Sequence, residues 1–168
     1  MKKKKKNRKY DGMKLTWLRD GKKFVLILAA LFVLFRFVIG VSFVDGDSMV
    51  PCLKNGQIVF YSRLSKHCEQ GDIVSVRMPG GAYYIKRVVA VSGDTVDIRD
   101  GKLWINNVED SHWGIGATEP QSSAVKYPLE IGEGQIFAVG DNREVSVDCR
   151  TFGAVSETQV RGILFKKG

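Results

Sequence analysis

The sequence predicts a mostly β protein, in which a single apolar N-terminal helix precedes one compact antiparallel β-sheet or barrel-like domain. Two observations predict this fold class. An almost unbroken apolar run covers residues 24–44. After residue 51, short segments rich in β-branched and aromatic residues alternate with turn residues, and no helical period persists. The 168 residues therefore divide into a basic tail (1–23), the apolar helix (24–44) and one domain (45–168).

The apolar run predicts a transmembrane helix. It holds 21 residues, of which 16 are Leu, Ile, Val or Phe, and about 20 apolar residues suffice to cross the hydrocarbon core. Arg36 is the charged residue in the run, and its side chain can reach the nearer interface. A cleaved export signal is the alternative, but the run is longer than the ~7–15 residues usual for such signals.

The distribution of charge predicts the orientation of that helix. Residues 1–23 carry 11 basic and 2 acidic side chains, so the net charge of +8 comes from the N-terminus. Because basic flanks stay in the cytoplasm, we expect the tail inside and residues 45–168 outside the cell membrane, next to the lipid bilayer. A nucleic-acid-binding arm at residues 2–9 is the alternative, but the balanced charge of the domain predicts no nucleic-acid partner.

Short strands are predicted to build the domain. The segments that predict strands are residues 57–62, 72–77, 82–91, 95–98, 102–106, 135–139 and 161–165. Asp100-Gly101, between two of them, predicts the tight turn of a hairpin. Residues 107–134 are polar and rich in turn residues, which predicts a long loop.

The cysteines and histidines give no indication of a metal site. Cys52, Cys68 and Cys149 show no metal-ligand spacing, and only His67 and His112 could join them. The sequence therefore predicts neither a metal nor a cofactor. A Cys52–Cys149 disulfide is compatible with an exported domain, but nothing in the sequence supports it.

Ser48 and Lys86 are the residues that indicate chemistry. Ser48 follows the apolar run within a few residues, and a serine becomes a nucleophile when a base removes its proton. Lys86 lies inside an apolar strand segment. Burial lowers the pKa of an amine from about 10.4, which makes a buried lysine a usable general base. The alternative is a solvated lysine at a sheet edge.

A third segment, residues 140–150, combines acids and arginines with Ser146 and, read alone, is a turn with surface ion pairs. Together the three segments resemble the type I signal peptidases, membrane-anchored proteases that use a serine and a lysine, in the compact form of Gram-positive members. The matching segments are Ser48-Met49-Val50-Pro51 with Leu53, Gly71-Asp72-Ile73-Val74, Tyr84-Ile85-Lys86-Arg87-Val88 with Gly93-Asp94, and Gly140-Asp141-Asn142-Arg143 with Ser146, Asp148, Arg150, Phe152 and Gly153. Their order makes the resemblance specific, whereas a lone Ser-x-Met is not.

The resemblance implies catalytic roles for Ser48 and Lys86 and supporting positions for Ser146 and Gly46. Ser48 would be the nucleophile and Lys86 its general base. Ser146 would hydrogen-bond the Lys86 amine and orient it. Gly46 stands where some relatives place a serine that holds the oxyanion, so the Ser48 backbone N–H is the expected donor.

The resemblance also implies supporting and substrate-binding residues. Asp148 and Arg150, with Asp141 and Arg143 nearby, would brace the site through ion pairs. The residues expected to line shallow substrate pockets are Val44, Met49, Leu53, Tyr84 and Ile85. An extended substrate would lie beside residues 44–48 and 83–86. Relatives usually carry threonine at Cys52 and serine at Cys149, and a thiol is the weaker hydrogen-bonding group.

The implied function is an endopeptidase that acts as a monomer at the outer membrane surface. It would remove N-terminal signal peptides from exported preproteins after small residues, at Ala-x-Ala sites. The alternative is a catalytically dispensable assembly or chaperone-like factor for a specific secreted or pilus client, against which the presence of both Ser48 and Lys86 argues. A LexA-like autoprotease shares the serine and lysine motifs, but the apolar run and the lack of a helix-turn-helix pattern argue against it.

Overall fold

The computed structural model describes residues 21–65 and 67–165, so most of the predicted basic tail lies outside the described residues. Two compact units divide the chain, Met1–Val38 and Ile39–Gly168. The second unit begins at Ile39, six residues before the predicted start of the domain at residue 45.

The apolar run is helical over only part of its length. Helix α1 occupies residues 21–33 and continues as a π-helix over Leu34–Val38. Its large apolar side chains are exposed, Phe24 by 61% and Phe32 by 68%. In the described part of the chain, no helix has both the length and the hydropathy that spanning a bilayer requires.

The end of the run corrects the predicted helix over 24–44. Strand β1 (Ile39–Phe43) pairs antiparallel with β2 (Ile58–Ser62). The apolar composition of this segment is compatible with a helix or a strand. It forms a strand because β2 supplies hydrogen-bond partners for its backbone N–H and C=O groups. Gly40 lies opposite Tyr61, and any side chain at Gly40 would collide with the Tyr61 ring.

Antiparallel strands build the second unit. The other strands are β3 (Ile73–Arg77), β4 (Tyr83–Val91), β5 (Thr95–Arg99), β6 (Lys102–Ile105), β7 (Val108–Glu109), β8 (Leu129–Glu130), β9 (Gln135–Val139), β10 (Val155–Ser156) and β11 (Val160–Leu164). Helix α2 (Cys149–Phe152) and a 3-10 turn (Glu157–Gln159) are short. Each segment predicted as a strand forms one, with bounds that agree to within one residue.

The strands form two sheets. The first has the order β1-β2-β11-β3-β4-β9-β10, and the second has the order β7-β6-β5-β8. All pairings between these strands are antiparallel, which confirms the predicted mostly β, antiparallel domain. Asp100 and Gly101 have φ values of 51° and 72°, as the predicted hairpin turn requires. The predicted loop over 107–134 holds only β7 and β8, near its two ends.

Two apolar clusters fill the interior of the second unit. The larger one joins side chains of both sheets, and the smaller one includes Met49 and Leu53 with residues of β2, β3 and β11. Strand β4 lies between β3 and β9. It carries two buried charged residues, Lys86 and Arg87, which are 2% and 1% exposed. Charged groups at this burial need partners, and their partners define the candidate site.

Candidate active site

Ser48 and Lys86 meet beside the middle of the first sheet. The Lys86 amine donates a hydrogen bond of 2.9 Å to the Ser48 hydroxyl oxygen. Ser48 is half-buried, in the turn after β1, and Lys86 lies on the buried face of β4. The distance is within the reach that proton transfer between a nucleophile and its base requires.

Burial lowers the pKa of Lys86 to about 8, because the charged amine loses its hydration. The Asp148 carboxylate opposes this shift and the Arg150 guanidinium adds to it. A pKa of about 8 leaves roughly one amine in ten neutral at pH 7, against about one in 2,500 for an ordinary lysine. The amine is therefore a competent proton acceptor near neutral pH.

The Ser48 backbone is held by the segment that follows β9. The Asn142 N–H donates a hydrogen bond of 3.0 Å to the Ser48 carbonyl. Gly140 packs against the same carbonyl, so that a Cβ at Gly140 would lie 2.5 Å from the Ser48 oxygen. Ser48 is thus positioned through its main chain, while its hydroxyl contacts Lys86.

Asp148 is the centre of the network behind the dyad. Its carboxylate accepts hydrogen bonds from the Ser146 hydroxyl at 2.6 Å, the Gly140 N–H at 3.0 Å and the Arg150 guanidinium at 2.9 Å. Burial alone would raise the pKa of Asp148, but the Arg150 and Ser146 hydrogen bonds outweigh it and hold that pKa below its usual value. Asp148 also caps α2 through the Arg150 N–H.

Ser146 does not show the contact that the sequence predicts for it. Its hydroxyl donates to Asp148, and among the described residues no hydrogen bond joins it to Lys86. Ser146 is nevertheless packed between Gly140 and the network, so its oxygen keeps lone pairs that can accept from the Lys86 amine. The orienting role of Ser146 stays a prediction.

Arg87 braces the site from the opposite face of β4. Its guanidinium makes two hydrogen bonds of 2.7 Å to Asp141 and one of 3.0 Å to the Gly71 carbonyl. The Trp113 ring lies 5.4 Å from the Arg87 guanidinium carbon. Both partners of the Arg87–Asp141 pair are buried, so the pair fixes the segment that carries Asn142.

Arg143 holds the 110–118 loop against that same segment. It donates to the Gly140 carbonyl at 3.1 Å, the Thr118 hydroxyl at 2.8 Å and the Trp113 carbonyl at 2.7 Å. Sequence analysis named Arg87 and Asn142 only as members of matching segments, without a role, and missed Trp113 and Thr118. For Arg87 a signal exists, a second charge beside Lys86 in an apolar strand. For the loop residues no local signal exists, because their contacts are distant in sequence.

The structure brings four of the five predicted pocket residues together. Val44, Met49 and Leu53 are buried in one apolar cluster, and Ile85 packs against it. Tyr84 lies outside that cluster and places its ring centre 5.6 Å from the Lys86 amine.

Beside these residues, β4 presents an open backbone edge. On one side β3 pairs with Tyr83–Arg87. On the other side β9 pairs with β4 only from Arg87 onward. Within the described residues, 83–86 thus have no strand partner on the β9 side.

Comparison with known proteins decides the family. A family model described as signal peptidase, peptidase S26, matches residues 17–166. The chain belongs to this family. Signal peptidase I S of Bacillus subtilis is 30% identical over 153 residues, which cover 83% of this chain and 83% of the relative. Signal peptidase I of Bacillus licheniformis is 31% identical over 153 residues, covering 83% and 82%. A crystal structure of a signal peptidase I from Enterococcus faecalis is 29% identical and covers 58% of this chain and 97% of that chain, with a TM-score of 0.45.

Membership of the signal peptidase family confirms the enzyme class that the sequence predicts, a serine endopeptidase. Among the described residues the Ser48 hydroxyl bonds to Lys86 and to neither histidine; His67 and His112 are exposed and lie near Glu157 and Asp110. In the part of the chain described, no group of His, Cys, Asp and Glu is arranged to hold a metal ion.

The cysteines of this signal peptidase family member are thiols. Among the described residues no disulfide joins Cys52, Cys68 and Cys149, so the Cys52–Cys149 bridge is not formed. Burial raises the pKa of Cys149 to about 12, and its thiol lies close enough to Lys86 to influence the amine. Cys52 packs against the pocket cluster.

If Lys86 is the general base, as the sequence predicts, the pH dependence of activity should follow its pKa. Because a base must be neutral to act, and because burial sets the pKa of Lys86 at about 8, we then expect kcat/KM to rise about tenfold per pH unit below that value. Above it, kcat/KM should level off. A pH–rate profile on a short peptide measures this. A plateau that begins already near pH 6 would identify a different base.

Proposed function

We propose that the chain cleaves signal peptides from exported preproteins, with Ser48 as nucleophile and Lys86 as general base. The observation that carries this proposal is the 2.9 Å contact between the Ser48 hydroxyl and a buried amine. The names of the relatives, which are signal peptidases I, support the substrate class.

The proposed reaction follows from the dyad geometry. With the amine neutral, the Ser48 hydroxyl donates its proton to the Lys86 nitrogen as its oxygen attacks the scissile carbonyl carbon. The resulting ammonium then protonates the leaving amine as the peptide bond breaks, which leaves an acyl group on Ser48. Lys86 next deprotonates a water that attacks the acyl carbon, and the Ser48 oxygen takes the proton back.

The oxyanion formed in these steps needs a donor, and the main chain supplies it. Gly46 cannot offer a side chain, and its N–H already donates to the Asn55 amide oxygen at 3.1 Å. No acceptor in the described part of the chain takes the Ser48 N–H, which is therefore available to the oxyanion.

The open edge of β4 supports an extended substrate. A strand added beside residues 83–86 would form main-chain hydrogen bonds and lead its scissile carbonyl towards Ser48. Its side chains would meet the cluster of Val44, Met49 and Leu53, which is already packed. Small side chains fit such a surface better than large ones, which favours alanine one and three positions before the cut.

A peptide series tests this function. The purified chain in detergent should cleave a peptide with an Ala-x-Ala site and release the predicted fragment. Leucine in place of the alanine before the cut should lower kcat/KM by about 10- to 100-fold, because a packed pocket does not accommodate three extra carbons without strain. Equal rates on both peptides would contradict the pocket assignment, and no cleavage of either would contradict the proposed function.

We further propose that this domain works as a monomer at the outer surface of the cell membrane, in the predicted single-pass topology. Ser48 and Lys86 come from one chain, so a second copy is not required. The exposed apolar residues of α1 and of the β1–β2 face, which carries Val41, Phe43, Ile58 and Phe60, support contact with lipid. Labelling of Lys102 from outside intact cells checks the topology, and protection of that amine would contradict it.

A further inference from the structure

An arginine cluster crosses neighbouring strands of the first sheet, β2, β11, β3 and β4. It consists of Arg63, Arg77 and Arg161 around the rings of Tyr61 and Tyr83. The Arg63 and Arg161 guanidinium carbons lie 5.2 and 5.8 Å from the Tyr61 ring centre, and Arg161 lies 4.9 Å from that of Tyr83. Arg77 is directly opposite Tyr83 in the β3–β4 register. Arg63 and Arg161 thus both stack on Tyr61, and Arg77 lies next to Tyr83, on which Arg161 also stacks.

The arginine cluster has no counter-charge among the described residues, where no carboxylate forms an ion pair with any of its members. The site arginines Arg87 and Arg150, by contrast, are each bound to an aspartate. Two buried polar atoms in the cluster, the Arg63 Nε and the Tyr61 hydroxyl, also have no hydrogen-bond partner within residues 21–65 and 67–165. Neighbouring like charges repel one another, and the Arg63 Nε–H is a donor without an acceptor among the described residues. An anion supplies both the counter-charge and the acceptor.

We propose that the arginine cluster binds the phosphate of an anionic phospholipid headgroup, which rests on the membrane location proposed above. The planar guanidinium fork matches phosphate oxygens, and arginine holds such groups better than lysine. The site is separate from the Ser48–Lys86 dyad and adds a lipid contact to the catalytic domain.

The position of the cluster in the chain favours lipid over a soluble anion. Ile39, the residue that follows the apolar helix, pairs with Ser62, and Arg63 comes next. The neighbouring Leu64 is an apolar side chain that is 72% exposed. A basic side chain followed by an exposed leucine is suited to the boundary between headgroups and acyl chains.

Because the domain has no net positive charge, its attraction to an anionic membrane surface requires a local basic site. Residues 39–168 carry 14 basic and 16 acidic side chains, so the domain as a whole is not attracted to an anionic surface. A cluster of three arginines attracts that surface at one point, and so fixes which side of the domain faces the lipid.

The test uses the full chain in nanodiscs of phosphatidylcholine with or without a photoactivatable phosphatidylglycerol. We expect crosslinks to residues 61–64 and 160–164. Their yield should fall about fivefold for each of Arg63→Gln and Arg161→Gln, the factor typical of one basic residue at an anionic membrane. Every variant keeps the same basic tail, so the differences report on the cluster.

Arg99→Gln is the matched control. Arg99 also stacks on an aromatic ring, 4.5 Å from the Trp104 centre, but it is paired with Asp97 at 2.9 Å. Its loss should leave the crosslinks unchanged. Cleavage of a short soluble peptide should be unchanged in Arg63→Gln and Arg99→Gln, since neither residue lies on the proposed substrate edge of β4. Absence of peptide cleavage by the unsubstituted chain would overturn the proposed function while the crosslinks still test the lipid site.

Three results would overturn the lipid proposal. One is an equal crosslink yield in the Arg63→Gln/Arg161→Gln double variant. Another is complete loss of crosslinks on addition of inorganic phosphate, which would identify a site for the free ion. The third is a raised KM of the double variant for soluble peptides with an acidic residue upstream of the cut, together with unchanged crosslinks, which would show that the cluster binds substrate.

Discussion

Replacing Lys86 with arginine should lower kcat/KM by about a thousandfold or more, to the level of Ser48→Ala. The guanidinium keeps the positive charge and can still donate to the Ser48 oxygen, but it does not deprotonate in proteins. It therefore cannot accept the serine proton. Because the two groups act as a unit, the Ser48→Ala/Lys86→Arg double variant should be no slower than either single variant. Steady-state kinetics on an Ala-x-Ala peptide measures all three.

Lys102→Arg is the control for this substitution, since Lys102 lies on the second sheet and is paired with Glu109 on the surface. It should retain full activity. Thermal unfolding separates lost chemistry from lost folding, because Ser48→Ala should keep the fold while it abolishes cleavage. Substantial activity in Lys86→Arg would show that residue 86 acts as a fixed cation and not as a base, and the proposed mechanism would then be wrong.

The burial of Lys86 could be predicted from the sequence because its signal is local, whereas its pairing with Ser48 came from the family resemblance. Lys86 lies in a segment whose alternation and β-branched residues indicate a buried strand, and a lysine in such a strand must be neutral or paired. The hairpin at Asp100-Gly101 was predictable for a similar reason, since few dipeptides adopt the positive φ values that the turn requires. In both cases the information lies within a few residues.

The end of the apolar helix could not be predicted, because hydropathy does not distinguish helix from buried strand in a continuous apolar run. Residues 39–43 become β1 through pairing with β2, a partner almost twenty residues away. Gly40 is the one local signal for the strand, because the Tyr61 ring leaves no room for a side chain there. That signal can be interpreted only when Tyr61 is known to lie opposite Gly40.

The contacts that Arg87 and Arg143 make around the dyad could not be predicted, because they join distant parts of the chain. Arg143 reaches Trp113 and Thr118 in the 110–118 loop, and Arg87 reaches Asp141 across 54 positions. The acids and arginines of residues 140–150 were visible as a group, but the sequence does not state which of them pair. Burial also raises the free-energy cost of breaking one of these pairs, since the remaining partner is then an uncompensated buried charge.

Gly140→Ala should lower both activity and stability, because Gly140 contacts the Ser48 main chain and the Asp148 network at once. A Cβ there would lie 2.5 Å from the Ser48 carbonyl oxygen and from the Ser146 Cβ, closer than side-chain atoms are found. The Ser48 carbonyl is also held by the Asn142 N–H at 3.0 Å, so it cannot move without shifting the dyad. We expect kcat/KM to fall about 100-fold, as for a 1 Å misplacement, and stability to fall by about 1–3 kcal/mol.

Gly132→Ala separates this steric effect from a general effect of losing a glycine. Neither Gly132 nor Gly140 has the positive φ that favours glycine, and the nearest atom to a Cβ at Gly132 is the flexible end of Gln135 at 2.8 Å. Gly132→Ala should therefore leave kcat and the unfolding temperature nearly unchanged. In Gly140→Ala, kcat should fall even when it is measured well below the unfolding temperature. KM should change less than kcat, because the substrate edge of β4 is untouched. Unchanged kcat in a folded Gly140→Ala would mean that the Ser48 main chain can move without separating the hydroxyl from the Lys86 amine, and that the brace serves stability alone.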